Sequence, residues 1–325
     1  MIPVIETRGL VKRYDDDVAV AGIDLLVGPG EIFGLVGPNG AGKTTTMRIL
    51  ATLPAPTAGE AYVTGVPVTA DPVEVRRRIG YMPDFYGVYD DLRVWEYLDF
   101  FGRCYGIGAA RRVRMIDELL DIVGLTEKRD AYVESLSRGM RQRLCLAHTL
   151  VHDPALLILD EPASGLDPRA RVEMREILRE LRTMGKTILV SSHILPELGE
   201  LCTAVAIIDR GRVLRSGTIA DIERSLRASA VLRIDLLGDE AAVGAAQAWL
   251  RNDPRVSDVL PAETGAIGDV IGLEVSFDGP PDAQADLLRR MIDAGHRVVG
   301  FSQATTDLEE IFLKVTGQQA EEAVA

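Results

Sequence analysis

The stretch Glu31-Ile-Phe-Gly-Leu-Val-Gly37-Pro38-Asn39-Gly40-Ala41-Gly42-Lys43-Thr44-Thr45 holds two patterns end to end. Ile32, Phe33, Leu35 and Val36 predict a buried strand, and Gly37 to Thr44 fit GxxxxGK[ST]. A glycine-rich turn between strand and helix lets successive backbone N–H groups face one concavity. A helix starting near Gly42 adds the positive end of its dipole, and Lys43 adds a full charge for β- and γ-phosphates. The segment therefore reads as a phosphate cradle, with Thr44 placed to offer its hydroxyl to Mg²⁺. A tight structural turn is the alternative, and the strand before and helix after argue against it.

Around this segment the chain alternates strands and helices. Val4 to Leu10 and Val18 to Val27 alternate apolar and polar residues, as strands with one solvated face do. Leu92 to Ile107 and Val113 to Val123 have helical spacing, with Val94, Trp95, Leu98, Phe101 and Tyr105 on one side, and read as a helical insertion. Ala155 to Leu159, Thr187 to Val190 and Ala204 to Ile208 are near-continuous apolar runs separated by helical stretches such as Arg169 to Met184. That rhythm predicts a parallel α/β sheet. The run Leu156-Leu-Ile-Leu ends in Asp160-Glu161-Pro162. An acid pair there lies at the carboxyl edge of the sheet, where such sheets bind ligands. Asp160 suits Mg²⁺ held through water, and Glu161 suits an attacking water. Two adjacent acids on a loop are otherwise plain surface charge; the apolar strand before them reverses that preference.

Past Ala230 the rhythm changes. Strand Val231 to Leu237, helix Glu240 to Leu250, strands Val256 to Pro261 and Val270 to Phe277, helix Asp282 to Ala294 and strand Arg297 to Phe301 give βαββαβ, a ferredoxin-like order. A short amphipathic helix from Asp307 to Val315 follows. The expected units are 1–228, a nucleotide-binding domain, 229–317, an α+β accessory domain, and 318–325, a flexible tail.

Composition agrees. Of 325 residues, 47 % are apolar and 26 % charged, the balance of a chain that packs a core. Through Ala230 there are 29 Lys and Arg against 32 Asp and Glu, a net of −3; the remaining 95 residues carry 7 against 17, a net of −10. Neither part offers a net-basic surface for nucleic acid. No secretory signal or membrane-length apolar run is visible. Cys104, Cys145 and Cys202 are odd in number, with no CxxC pair, which predicts reduced, half-buried thiols in a cytoplasmic protein.

The residues from about 4 to 222 resemble the nucleotide-binding subunit of an ATP-binding cassette (ABC) transporter. Leu136-Ser137-Arg138-Gly139-Met140 resembles the signature LSGGQ, Ser164-Gly165-Leu166-Asp167 the D-loop, His193 the switch histidine that contacts the γ-phosphate, and Tyr14 the aromatic that stacks on adenine. Each also has an ordinary structural reading: Ser137 as a helix cap, 164–167 as a turn, Tyr14 as a core residue. His148, His152 and His296 keep that reading. Two departures stand out: Pro83-Asp84 replaces the usual glutamine, leaving Asp84 as an oxygen ligand without an amide donor, and Arg138 and Met140 alter the signature. For Arg138, both assistance at the phosphate site and a solvent-facing position stay open.

The resemblance implies a P-loop NTPase domain with an antiparallel β subdomain and a helical insertion. It implies a catalytic set of Glu161, His193 and Lys43, with ATP bound by Tyr14, Gly37 through Thr45, Ser137, Gly139 and Asp167, and Mg²⁺ held by Thr44, Asp84 and Asp160. It further implies ATP hydrolysis, an ATP-sandwich dimer, separate transmembrane permease subunits and a place on the inner face of the cell membrane. Thr306 to Gly317 resembles the ending of exporters of the drug-resistance and ABC-2 type. A regulatory cassette with weak catalysis and a soluble cassette acting on ribosomes or DNA are the rival readings; tandem cassettes, a coiled-coil insertion or zinc cysteines would favour the latter, and none is present.

Overall fold

The computed structural model describes residues 2–15, 17–84, 87, 89–222, 229–262 and 270–303. The predicted helix 307–315 and the tail lie outside the described residues. Two compact units divide between Ile219 and Ala220.

In the first unit the chain begins with β1 (Ile5–Tyr14), β2 (Asp17–Val27) and β3 (Ile32–Val36), then α1 (Lys43–Leu50), β4 (Ala58–Val63), β5 (Val66–Pro67), α2 (Pro72–Arg78) and β6 (Ile79–Met82). Three helices follow, α3 (Val94–Cys104), α4 (Ala109–Ile122) and α5 (Arg138–Leu150). The unit closes with β7 (Leu156–Leu159), α6 (Pro168–Thr183), β8 (Thr187–Ser192), α7 (Leu195–Gly199), β9 (Ala204–Asp209) and β10 (Arg212–Thr218).

One sheet has the order β2-β1-β4-β5 and is antiparallel. The other has the order β10-β9-β3-β8-β7-β6, parallel from β9 to β6, with β10 an antiparallel edge. β3, β7 and β8 are buried at every position, which explains their unbroken apolar runs. Register matters most here. Val36 pairs with Ser192, while Leu159 pairs with both Val190 and Met82, so β3, β8, β7 and β6 end together at one edge. The helical insertion is real: α3 packs on α4 and α5, and Asp99 on α3 accepts from both Arg103 and Arg112 at 2.6 Å, tying α3 to α4.

In the second unit β11 (Ser229–Leu237), α8 (Glu240–Arg251), β12 (Val256–Pro261), β13 (Val270–Asp278), α9 (Pro281–Asp293) and β14 (Val298–Gln303) follow the predicted order. The sheet order β12-β13-β11-β14, antiparallel throughout, is that of the ferredoxin-like fold. Leu232, Ile234 and Leu236, alternating along β11, meet Val243, Ala246 and Leu250 of α8 and Leu287 and Met291 of α9 in one core. The predicted last strand shifts by one residue at its start and two at its end: its pairing with β11 begins with Val298 opposite Leu236 and runs on to Gln303 opposite Leu232. All three cysteines are free. Cys202 is half-buried as expected, while Cys145 is buried and Cys104 exposed, both corrections to the half-buried reading; burial pushes the Cys145 and Cys202 thiols up to about 12.

Candidate functional site

The edge where β3, β8, β7 and β6 end carries Gly37, His193, Asp160 and Asp84 in turn. Gly37 follows β3 in close contact with β9: a Cβ there would lie 2.2 Å from the Ile208 carbonyl oxygen. Gly42, with φ +105, caps α1, and a Cβ would meet the Ala19 carbonyl oxygen at 2.5 Å. Between them Ala41 N–H closes a turn on Pro38 O at 3.1 Å, while Asn39 and Gly40 are exposed. Lys43, Thr44 and Thr45 form the first turn of α1. The helix thus starts at Lys43, one residue past the glycine where the sequence placed it.

Lys43 is buried, and its Nζ donates to Gly37 O at 2.6 Å and Pro38 O at 3.3 Å. Burial lowers its pKa, opposed by the negative charges of Glu161, Asp160 and Asp84. Its Nζ lies 3.6 Å from Glu161 Oε1, and the other oxygen, Oε2, lies 3.0 Å from His193 Nδ1. One carboxylate thus bridges the lysine of the phosphate loop and the histidine after β8. Glu161 adopts φ +50, a left-handed backbone uncommon for a side-chain-bearing residue. Its N–H donates to Ser191 Oγ at 2.9 Å, and the Ser191 hydroxyl donates to Asp160 Oδ1 at 2.7 Å.

Asp160 is 1 % exposed and its Oδ2 has no hydrogen-bond partner. A buried carboxylate oxygen without a donor is costly unless a cation meets it, so Asp160 fits a metal ion, with the Thr44 hydroxyl in the first turn of α1 a further oxygen donor for it. Among the described residues no cluster of three or more His, Cys, Asp or Glu could hold a metal by itself. That suits Mg²⁺, which takes one or two carboxylates and completes its shell with phosphates and water. Asp84 is exposed and two residues beyond Met82, whose carbonyl accepts from Asp160 N–H at 2.9 Å.

Tyr14 ends β1 with its side chain exposed, the Lys12 ammonium 5.0 Å from its ring centroid, so the core reading of Tyr14 is overturned. Ser137, Gly139 and Asp167 form a separate cluster at the starts of α5 and α6. Ser137 Oγ accepts from Met140 N–H at 3.3 Å and Asp167 Oδ1 from Ala170 N–H at 2.9 Å, each capping its helix. Both are exposed. Arg138, left open by the sequence, lies across the neighbouring loop and donates to Ser164 O at 3.2 Å.

Two residues escaped the sequence reading. Ser191 sits between the two acids, and its signal was a polar pair, Ser191-Ser192, ending an apolar strand. Gln142 is 3 % exposed and donates through Nε2 to Pro162 O, holding α5 to the acid-bearing loop. Its spacing with Cys145, Leu146 and Thr149 already placed it on the buried face of α5.

The sequence profile described as ABC transporter matches residues 20–164. The chain is 39 % identical over 325 residues to the daunorubicin/doxorubicin resistance ATP-binding protein DrrA of Streptomyces peucetius, covering 98 % of this chain and 94 % of that one. It is 36 % identical over 321 residues to the Nod factor export ATP-binding protein I of Cupriavidus metallidurans, covering 98 % and 99 %. Among solved structures it is similar to an ATP binding subunit of an ABC transporter, with TM-score 0.62, 31 % identity and coverage of 69 % of this chain and 93 % of that one. The fold also matches cbiO1 from Clostridium perfringens, with TM-score 0.62, 24 % identity and coverage of 70 % and 95 %.

Proposed function

The chain belongs to the ATP-binding subunits of ABC transporters, and on that premise we propose that it hydrolyses ATP to drive export through separate membrane-spanning permease subunits. Export is supported by the names of the two relatives, one a drug-resistance protein and one an export protein, whose similarity runs through the accessory unit as well as the cassette. Among the described residues no helix is long and apolar enough to cross a membrane, so transport needs a partner that is. We place the subunit in the cytoplasm, held at the inner face of the cell membrane by that partner.

The observation that carries the mechanism is the Glu161 carboxylate held between Lys43 and His193. ATP lays its phosphates over the Gly37–Thr44 loop and stacks its adenine on the exposed Tyr14 ring. Glu161 orients the attacking water and takes its proton. Lys43 and His193 stabilise the charge that spreads over the transferring phosphoryl oxygens. Asp160 and Thr44 would hold Mg²⁺, with Asp84 at the outer margin, and the ion would supply positive charge against the bound phosphates. A second copy completes each site with Ser137 and Gly139, whose place at the start of α5 suits an anion, and Asp167 lies at the same surface. The intact Glu161–His193 pair speaks against a regulatory cassette with weak catalysis.

Transmission to the permease runs through the insertion. Tyr89, Phe100 and Tyr105 are exposed, with Tyr89 and Phe100 edge to face at 5.7 Å, a surface suited to an apolar partner segment. Behind it the Phe101 ring lies 3.7 Å from that of His148, and Tyr105 itself stacks 4.1 Å from His152; His148 is on α5, the helix that opens after Ser137, and His152 lies just past it. Glu161→Gln tests the reading: turnover should fall by roughly 10²- to 10⁴-fold, with ATP binding retained and an ATP-bound dimer accumulating in gel filtration. Undiminished turnover would remove Glu161 from its role.

A further inference from the structure

We infer that Ser191 is a positioning residue that sets both acids of the site with a single hydroxyl. The inference rests on the roles proposed for Asp160 and Glu161. A serine hydroxyl has one proton to donate and two lone pairs that accept. Here the proton goes to Asp160 Oδ1 at 2.7 Å and a lone pair receives Glu161 N–H at 2.9 Å. Ser191 and Asp160 are each 1 % exposed, so bulk water does not compete for either bond.

Each bond has a consequence. With Oδ1 engaged, Asp160 presents only Oδ2 outward, and that oxygen is buried and unpartnered. One hydroxyl thus fixes which carboxylate oxygen meets a cation and at what angle, as donors behind metal ligands do. The second bond acts on the backbone. Glu161 sits at φ +50, a conformation that persists in a non-glycine residue only when its surroundings over-determine it. The N–H bond to Ser191 supplies that constraint. Two residues on, the same strand end delivers His193, whose Nδ1 lies 3.0 Å from Glu161 Oε2. The end of β8 therefore grips Glu161 twice, at its amide through Ser191 and at its carboxylate through His193. A movement of this strand end shifts the metal-facing oxygen and the water-facing carboxylate together.

The test compares Ser191→Ala and Ser191→Thr in the full chain, with Asp160→Asn and Glu161→Gln as references. Three quantities are read: affinity for a fluorescent ATP analogue in excess EDTA, Mn²⁺ affinity of the ATP-bound protein by electron paramagnetic resonance, and turnover. Ser191→Ala should leave metal-free nucleotide affinity unchanged, weaken Mn²⁺ roughly 10- to 100-fold and lower turnover by a similar factor. Ser191→Thr keeps the hydroxyl and should restore most of both. Wild-type Mn²⁺ affinity and turnover in Ser191→Ala overturn the inference. So does equal loss of metal-free binding, metal affinity and turnover in Ala and Thr variants alike, which marks Ser191 as packing. If Ser191→Ala does not fold, Ser191→Cys, near in size with a weaker donor, is read against Thr in the same way. Retained turnover in Glu161→Gln, or unshifted Mn²⁺ in Asp160→Asn, would instead fell the underlying roles; an inactive Glu161→Gln beside a normal Ser191→Ala would fell this inference alone.

Discussion

At Lys43 burial and charge pull in opposite directions, burial disfavouring the ammonium while Glu161, Asp160 and Asp84 favour it. Its two carbonyl contacts, at Gly37 and Pro38, hold the charge at the mouth of the loop that receives phosphate. Lys43→Met should therefore weaken ATP binding at least tenfold, checked by equilibrium titration with a fluorescent analogue, because a hydrogen-bonded charge contributes roughly 1.5–3 kcal/mol. Asp167 carries two separable duties. Its carboxylate caps α6, and its exposure leaves it free to meet a second copy. Asp167→Ala should cost about 1 kcal/mol in urea denaturation of the isolated subunit, while Asp167→Asn, also a good cap, should cost nearly nothing. ATP-driven dimerisation lost equally in both would assign the charge, and not the cap, to the interface.

Between elements, the contact of α3 with α5 holds a titratable group. His148 lies among Tyr97 and Phe101 with its Nδ1 unpartnered, and burial lowers its pKa to about 4. His152, stacked on Tyr105, is lowered for the same reason. An imidazole whose folded pKa lies below its unfolded value of about 6.5 gains a proton on unfolding. Its neutral form supports the fold fully above that pH, support drains as pH falls toward 4, and no more is lost below. The His148 shift corresponds to about 3 kcal/mol over that window. Urea titrations at pH 8 and pH 5 should show the loss, and His148→Phe should flatten it and gain most at pH 5. An unchanged slope with pH in His148→Phe would place the dependence elsewhere.

On the scale of the whole molecule, the two units close their cores separately. The cassette cluster draws on residues between Val4 and Ile208, the accessory cluster on residues between Leu232 and Met291. The charge divides the same way, −3 through Ala230 against −10 beyond it. We propose 1–228 and 229–317 as the functional division. A chain of residues 1–228 should bind ATP as tightly as the full protein, measured by the same fluorescent titration, while coupling to the permease changes. A folded truncation that no longer binds ATP would show that the division is wrong.

Contiguous residues by themselves determined the phosphate loop, the acid pair after an apolar strand, the parallel α/β rhythm and the βαββαβ order, because spacing and burial periodicity are local properties of the chain. In the small antiparallel sheet β1 and β2 were legible from their alternation, but the sheet as a whole only through family resemblance, since β4 and β5 are short and β4 alternates weakly. What the tertiary structure alone decided was which atoms meet. Glu161 lies 32 residues from His193 and 30 from Ser191 in the chain, yet touches both. Arg138 turned out to lie on Ser164, and Tyr14 to stand exposed, the structure choosing in each case between readings that the sequence left open. The physical reason is the register of parallel strands. Their pairing brings distant strand ends to one edge, and only there do a lysine, two carboxylates, a serine hydroxyl and an imidazole come within hydrogen-bonding reach of one another.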